Sequence, residues 1–471
     1  MTPTFTVSEI AAAVGGTVIG GAAGRVVGVS TDSRTVQSGQ LFVPLRGERF
    51  DGHRFIDAAL ARGVTVLLAE QGCGNLAALP PGTTCITVAD TLRALGDLAA
   101  FHRNRFSLPV VAVTGSNGKT TTKEMLAAIL QRTGAGLKTA GNLNNLIGLP
   151  QMVFQLCDMH RWAVLEMGMS EPGEIDRLAE IARPDVGVIT NVAPAHLQSM
   201  GSVAAVSSAK GELFLRLQQG NTAVFNADDP LVAGLPTAAG VGRLSFGLGD
   251  AEVRAEQIAE LGRAGQSFVL CLPAAKIPMT MKVFGRHNIL NALAAAAVAH
   301  VLGLEPEAIR DGLESFSPVE KRFSPEDIGG ILLIDDSYNA NPSSMTAALK
   351  TIASLKEEGR GIAVLGDMLE LGESSSRAHE EIGRLAAGCV ERLYLMGAMA
   401  PSVARGAALA GLPDNAIFLA KSHAEILDDI RDAMRPGDCI LVKGSRGMRM
   451  ETVAEGIRHA YAAATAKGAD N

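Results

Sequence analysis

At 471 residues the chain is too long for one compact core and implies roughly three folding units. A formal net charge of −7 without long Lys or Arg runs argues against a nucleic-acid surface, because phosphate backbones are held by clustered cations. Six scattered cysteines with no C-x-x-C pair exclude a disulfide framework or cysteine zinc site, and no apolar run nears the ~18 residues of a membrane span. Residues 1–10 lack a basic and apolar leader, so a cytoplasmic enzyme acting on small molecules, without membrane insertion, is expected.

In chain order, residues 1–107 carry short β-like runs at 25–29, 40–43 and 64–68, then a helical stretch over 91–105. A second unit, 108–317, opens on the apolar run 110–113 and alternates strand and helix through 162–166, 186–190 and 223–226. Such alternation predicts a mainly parallel sheet with helices on both faces. Residues 253–281 read as a β-rich excursion of that sheet. The pattern restarts near Ser317-Pro318, and strands at 331–334, 361–365, 392–396, 416–419 and 439–442 predict a third, Rossmann-like unit, 318–471. Its last residues, 462–471, read as a frayed tail. The fold class is α/β in three domains.

The first strand of the second unit runs into Thr114-Gly115-Ser116-Asn117-Gly118-Lys119-Thr120-Thr121, followed by a helical run over 123–132. Glycines let backbone N–H groups approach phosphate oxygens, and the helix N-terminus adds its dipole. Lys119 supplies a cation, and the Thr120 hydroxyl can ligate magnesium. The generic spacing places its first glycine where this chain has Val113, so the loop is a shortened variant. Ligands of open α/β sheets sit at the carboxyl ends of strands, which singles out Glu166 and the stretch Thr190-Asn191 leading to His196. A carboxylate is a hard oxygen ligand, and a histidine can be a ligand or orient one. Taken singly, Glu166 reads equally as a helix N-terminal acid and His196 as a loop residue.

These segments, with A-K-G-E at 209–212, G-R-H-N-I-L-N-A-L-A-A at 285–295, D-D-S-Y-N-A-N-P at 335–342, L-G-D-M-L-E-L-G at 365–372 and V-K-G-S-R at 442–446, resemble the Mur ligase family nearly end to end. Its members are ATP-dependent enzymes that build the peptide of the bacterial cell-wall precursor. A-G-N-L-N-N-L-I-G-L-P at 140–150, D-S-Y-N-A-N-P and K-G-S-R are similar to the member that adds D-alanyl-D-alanine to UDP-N-acetylmuramoyl-tripeptide. The resemblance implies an N-terminal domain for the UDP end, a central ATPase domain and a C-terminal domain closing over both. It also implies ATP and Mg2+ as cofactors and a monomer with no nucleic-acid partner.

Roles follow from the resemblance residue by residue. Gly115 to Thr121 would surround the phosphates, with Lys119 on the β and γ groups, Thr120 and Glu166 on one magnesium ion, and His196 near a second. Lys210 resembles the family's carbamylated lysine. An ammonium would repel magnesium, whereas a carbamate is an anion that ligates it; without that context Lys210 reads as a solvated surface lysine. Asn288, with His287 beside it, would read the adenine edge, though an Asn here is also an ordinary helix N-cap. Arg322 would reach the γ-phosphate. The family commonly has Gly-Arg where this chain has Glu320-Lys321-Arg322, which leaves Lys321 as the alternative. Asp336 would hold the ribose. Ser33, Arg34, Phe50, Asp51 and His53, with Arg49 between them, resemble contacts to the nucleotide sugar, and Asn142, Asn144 and Asn145 contacts to substrate. Such loops are also ordinary turns. Asn339, Asn341, Lys443, Ser445 and Arg446 are candidates for the dipeptide carboxylate. Asp367 and Glu370 face the incoming amine or cap a helix. The catalytic set is Lys119, Lys210, His196 and Arg322, working through an acyl phosphate. The rival readings are a sibling ligase adding one amino acid, a folylpolyglutamate-type ligase, and a nucleotide-binding module that does no ligation.

Overall fold

The computed structural model describes residues 2–21, 24–47, 50–73, 79–194 and 197–469. The strand Val110–Thr114 is buried along its whole length, as an unbroken apolar run must be when helices cover both faces of a parallel sheet. It pairs in parallel with Ala163–Glu166 on one side and Val186–Ile189 on the other. Leu137–Lys138 lies beyond the first neighbour, and Thr222–Asn226, Gly242–Gly247 and Val253–Glu260 continue in parallel beyond the second. Gln266–Leu272 and Ala275–Met281 complete nine strands as an antiparallel edge, so the β-rich excursion joins the central sheet. The helices Lys119–Leu130 and Arg286–Val301 cover one face. The second of these buries Ile289 and the run from Ala292 to Ala299, whose small side chains let it lie close to the strands.

The other face carries Gly148–Val153, Glu174–Ala182 and Val203–Arg216, and here packing departs from three independent bodies. Phe5, Val26, Leu41, Leu68, Ile86 and Leu95 of the first unit belong to one continuous cluster with Leu149, Phe154, Leu178 and Leu213 of the second. The joint is the helix Thr91–Arg103, started by the Asp90 carboxylate, which accepts the Arg93 N–H at 2.9 Å. The first unit's sheet runs Thr17–Gly20, Thr84–Val88, Val66–Glu70, Leu41–Phe42, Val29–Ser30, parallel except for its first member.

In the third unit Ile331–Asp336, Cys439–Lys443, Gly361–Gly366, Arg392–Met396 and Ile417–Ala420 lie side by side in parallel, with Ser324–Ile328 antiparallel at one edge. Helices cover both faces, as a Rossmann-like build requires. The last strand, however, inserts between the first two, an order unlike that of the dinucleotide-binding sheet. This insertion sets Asp336 opposite Lys443 in register. The final helix, Glu451–Ala469, reaches into the stretch read as a frayed tail, where alanine, the best helix former, predominates. All six cysteines are free thiols. Among the described residues no helix is long and apolar enough to cross a membrane.

One buried group ties the shared core to pH. His102, on the joining helix, is 3% exposed and ringed by Phe5, Phe106 and Phe154. Its Nε2–H donates to the Leu156 carbonyl at 3.2 Å, and its Nδ1 has no partner among the described residues. Burial therefore pushes the imidazole from 6.5 down to about 4, opposed by the Leu156 hydrogen bond and helped by the Arg105 charge. A histidine kept neutral in the fold protonates first in the unfolded chain. Its contribution is thus full above pH 6.5 and is lost as the pH falls through about 4. The loss expected over that interval is roughly 3 kcal/mol. Urea midpoints should fall correspondingly between neutral and acid pH in the wild type and flatten in His102→Leu.

Candidate active site

Two glycines shape the phosphate loop. Gly115 has φ +147°, and a Cβ there would lie 1.9 Å from Thr190 Oγ1; Gly118 has φ +83° at the N-cap of Lys119–Leu130, and a Cβ there would meet Asn291 Oδ1 at 2.2 Å. No other residue fits either place. The neighbouring strand end braces the shortened loop: Thr190 Oγ1 donates to the Asn117 carbonyl at 2.6 Å, Asn117 N–H donates to Asn191 Oδ1 at 3.0 Å, and Ser116 Oγ donates to the Ala193 carbonyl at 3.0 Å. Lys119 Nζ curls back to donate to the Gly115 carbonyl at 2.7 Å. Desolvation lowers its pKa, Glu166 pulls it back up, and Arg322 lowers it further.

Glu166, at the end of its strand, is buried and fully engaged. Oε2 accepts the Thr120 hydroxyl at 2.8 Å, Oε1 accepts Asn144 Nδ2 at 2.8 Å, and its N–H donates to Thr139 Oγ1 at 2.9 Å. The buried Lys123 in turn donates to the Thr139 carbonyl at 2.6 Å. A hydroxyl and a carboxylate in contact form a hard oxygen pair suited to a divalent cation. Glu166 is therefore the end of a bonded chain rather than a helix-terminal acid. Lys210, on Val203–Arg216, is 2% exposed, which excludes the solvated-lysine reading. Burial and then the charge of Lys119 push its pKa well below the ordinary lysine value. His196 lies outside the described residues, as does Arg49.

The helix Arg286–Val301 is capped at Gly285, so Asn288 is its third residue and not its N-cap. Asn288 Nδ2 donates to the Phe284 carbonyl at 2.9 Å, while its Oδ1 accepts Asn291 Nδ2 at 3.1 Å. His287 stands edge-on to Phe323 at 6.1 Å, and burial pushes it down to about 4, with Asp336 acting the other way.

From the third unit, Arg322 crosses to the loop: its guanidinium donates to Thr120 Oγ1 at 3.0 Å. Lys321 points elsewhere, 3.8 Å from both Glu451 and Glu455, so of the two basic residues Arg322 is the one at the site. Asn341 Nδ2 donates to Asn117 Oδ1 at 2.8 Å and Gln198 N–H to the Glu370 carbonyl at 3.3 Å, so the third unit is closed against the second. Asp336 accepts the Phe323 N–H at 3.1 Å with Oδ1 and Lys443 Nζ at 2.6 Å with Oδ2. Lys443 is thus already neutralised, which removes it as a free cation for a carboxylate. Ser445 is buried, accepting the Leu369 N–H at 2.8 Å and donating to the Ala340 carbonyl at 3.2 Å. Arg446 is more exposed: its N–H donates to Asn339 Oδ1 at 3.3 Å and its guanidinium pairs with Glu451 at 2.8 Å, a surface pair that a substrate carboxylate can exchange more readily than the buried Lys443 pair. Asp367 is buried and accepts the Met399 N–H at 3.1 Å, at the start of the helix Ala400–Leu409 and not of the helix that follows its own strand.

A cleft of about 590 Å³ gathers Lys119, Asn142, Asn144, Asn145, Glu166, Lys210, Asn288, Arg322, Asp336, Asn339, Asn341 and Lys443. Ser33, Arg34, Phe50, Asp51 and His53 stand apart in the first unit. Arg34 is exposed and grips Asp32 through two hydrogen bonds, 2.9 and 2.7 Å, which hold that carboxyl near 2. Phe50 is exposed beside Phe55 at 5.9 Å. His53 has both ring nitrogens committed, Nδ1 to Asp51 at 2.7 Å and Nε2 to the Glu70 N–H at 3.1 Å. Although His53, Glu70 and Cys73 offer atoms within 4.8 Å of one another, the cation among them is Arg46, 3.0 Å from Glu70 and 3.3 Å from Cys73. Thr31 Oγ1 accepts Gln151 Nε2 at 3.3 Å, which links the T-D-S-R loop to the helix following the three asparagines.

Sequence reasoning gave no role to Tyr338, Thr139, Lys123 or Asn291. Lys123 sits one turn beyond Lys119 and Asn291 one turn beyond Asn288, spacings that put each pair on one helix face. Nothing local marked Thr139, whose role comes from the strand beside it.

Three stretches match family profiles: Mur ligase family, catalytic domain, over residues 25–103; Mur ligase middle domain, over 113–299; and Mur ligase, glutamate ligase domain, over 321–446. The chain is 35% identical over 456 residues to the UDP-N-acetylmuramoyl-tripeptide--D-alanyl-D-alanine ligase of Bacillus subtilis, covering 96% of this chain and 98% of that one. It superposes on MurF from Acinetobacter baumannii with a TM-score of 0.88 at 33% identity, over 97% and 99% of the two chains. It also superposes on the MurF ligase from Thermotoga maritima in complex with ADP, with a TM-score of 0.82 at 30% identity, over 92% and 97%.

The loop geometry makes a direct demand. Because a methyl at position 115 cannot coexist with Thr190 Oγ1, Gly115→Ala should weaken ADP binding at least tenfold by calorimetry, about the effect of a forced overpacking clash. Affinity equal to the wild type would show that the loop is not the phosphate cradle.

Proposed function

The chain belongs to the Mur ligase family, and from that premise we propose that it is an ATP-dependent, ADP-forming ligase that joins D-alanyl-D-alanine to UDP-N-acetylmuramoyl-tripeptide, giving the pentapeptide precursor of peptidoglycan. The observation that carries this reading is Arg322 of the third unit at hydrogen-bond distance from Thr120 of the phosphate loop, with Glu166, Lys210 and Asn339 in the same cleft. Relatives bearing that activity in their names align with this chain over nearly its full length.

A free carboxylate does not form an amide at useful rates, because its oxide is a poor leaving group. The tripeptide carboxylate therefore attacks the γ-phosphorus in line, releasing ADP and forming an acyl phosphate, while Lys119 and Arg322 stabilise the charge on the transferred group. The dipeptide amine then attacks the acyl carbon, and the tetrahedral intermediate collapses to the amide and phosphate. Thr120 and Glu166 fit Mg2+ as hard oxygen donors, and the ion supplies charge neutralisation on the β and γ phosphates. Lys210 does not fit a second ion as an ammonium but does as a carbamate, and its burial favours the uncharged amine from which a carbamate forms. His196 is assigned to that second ion by the family resemblance alone. The adenine edge goes to Asn288 and His287, and the ribose to Asp336, which must then share an oxygen with Phe323 N–H or Lys443.

The loops bearing Ser33, Arg34, Phe50, Asp51 and His53 take the UDP end, and Asn142, Asn144 and Asn145 flank the peptide. Arg446 and Asn339 take the dipeptide carboxylate, with Asn341, Lys443 and Ser445 holding the loops behind them. Domain boundaries fall near residues 107 and 317. In support, the strand pairings of the three main sheets stay within 17–88, 110–281 and 324–443 among the described residues. Ser317-Pro318 serves as the hinge, and the enzyme works as a cytoplasmic monomer.

Sustained release of ADP, beyond one equivalent per enzyme, should require both peptide substrates when magnesium-ATP, UDP-N-acetylmuramoyl-tripeptide and D-alanyl-D-alanine are omitted in turn, and the pentapeptide mass should appear only in the complete mixture. Turnover with a single amino acid instead would move the chain to a sibling ligase, and none at all would leave a nucleotide-binding module. Separately, 13C-bicarbonate should give a carbamate carbon resonance in the wild type that is missing from Lys210→Arg; the same resonance in both would clear Lys210 of the modification.

A further inference from the structure

Arg322 is presented to the phosphate loop by a turn that its own residues do not favour. Lys321 and Phe323, on either side of it, both hold left-handed backbone, with φ of +60° and +49°. Side-chain-bearing residues seldom adopt this conformation, and a bulky one such as Phe323 is an outlier there. Such a turn persists only where its surroundings over-determine it, and they come from the loop after Ile331–Asp336. Tyr338 N–H donates to the Lys321 carbonyl at 3.1 Å, and Asp336 Oδ1 accepts the Phe323 N–H at 3.1 Å. The third hold is the Tyr338 ring, whose centroid lies 3.9 Å from the Arg322 guanidinium carbon.

We propose that Tyr338 is a positioning residue for phosphoryl transfer: its ring fixes the Arg322 guanidinium on the line to Thr120. The proposal rests on the reading above, in which the γ-phosphate lies at this point. A long arginine side chain has many rotamers, and an acidic partner that froze it would also consume its N–H groups and compete with phosphate. A ring under the cation does neither. It attracts the guanidinium through its face and leaves the donors at the edge free, one of which already reaches Thr120. Because the backbone of Tyr338 also latches the turn, one residue sets both where the arginine leaves the chain and where its head lies.

The test uses the full-length enzyme with ATP, sugar-tripeptide and dipeptide. Tyr338→Phe and Tyr338→Leu are compared in the wild type and in Arg322→Gln, which keeps an N–H donor but removes the near cation from the ring, leaving only the more distant Arg446, 5.9 Å from its centroid. Tyr338→Phe should retain kcat within about twofold. Tyr338→Leu should lose about tenfold in kcat, between the worth of an exposed and of a fully desolvated cation–π contact, with KM for ATP changed less than about threefold. In the Arg322→Gln background, Tyr338→Leu should cost nothing further. Equal losses in both backgrounds, an unchanged kcat, or a Phe variant as impaired as Leu would each overturn the proposal. Thermal unfolding is recorded for every variant, and Tyr338→Met, similar in volume and also without a ring, replaces Leu if the Leu chain unfolds. A wild type that makes no pentapeptide sinks the functional reading together with this one, whereas an active wild type without the predicted pattern sinks this one alone.

Discussion

One hydroxyl holds the site together. Thr120 Oγ1 donates to Glu166 and accepts from Arg322, so the phosphate loop, the strand beside it and the third domain meet at a single oxygen. Each bond places a demand elsewhere. Glu166 must be aimed, which Asn144 and Thr139 do, and Arg322 must cross a domain boundary, which its latched left-handed turn does. The loop must stay open enough for the hydroxyl to face the cleft, and Thr190 and Asn191 brace it from the adjacent strand. Buried polar groups tolerate such an arrangement only when nearly all are satisfied, because an unpaired one costs more than a bond returns.

The parts of this arrangement that were legible in sequence share a property: their chemistry is local. The strand 110–114, the loop after it and the third unit's succession of apolar runs could be read because backbone geometry and period are set by neighbours in the chain. Arg322 was found through a motif, and geometry then separated it from Lys321. What could not be read depends on residues far apart. Lys443 was a free cation on paper and is a partner of Asp336 in space, because the last strand inserts beside Ile331–Asp336. Lys210 sits in a polar run yet is buried, since its helix packs that face against the sheet. Asn288 was one residue type with two readings, and the cap at Gly285 removed one of them.

Charge in the cleft is arranged as opposed pairs and unpaired cations. Asp336 with Lys443 forms a neutral unit that fixes two strand ends. Lys119, Lys210 and Arg322 converge in a cleft that Glu166 and Glu174 also line, and desolvation first, then a neighbouring cation, lowers the pKa of Lys119 and of Lys210. Such a field suits a highly charged anion such as a polyphosphate. The first domain shows the opposite arrangement, with Arg46, Asp51, His53 and Glu70 closed on themselves.

The continuous cluster from Phe5 to Leu213 has a mechanical meaning as well. Two domains that share one interior cannot swing apart without opening it, so whatever the first domain holds lies at a constant distance from the phosphate loop. If the substrate is tethered there by its UDP end, as proposed, that distance is a ruler: a peptide stem whose carboxylate falls short of the loop, or overshoots it, would be rejected by length before any side chain is inspected.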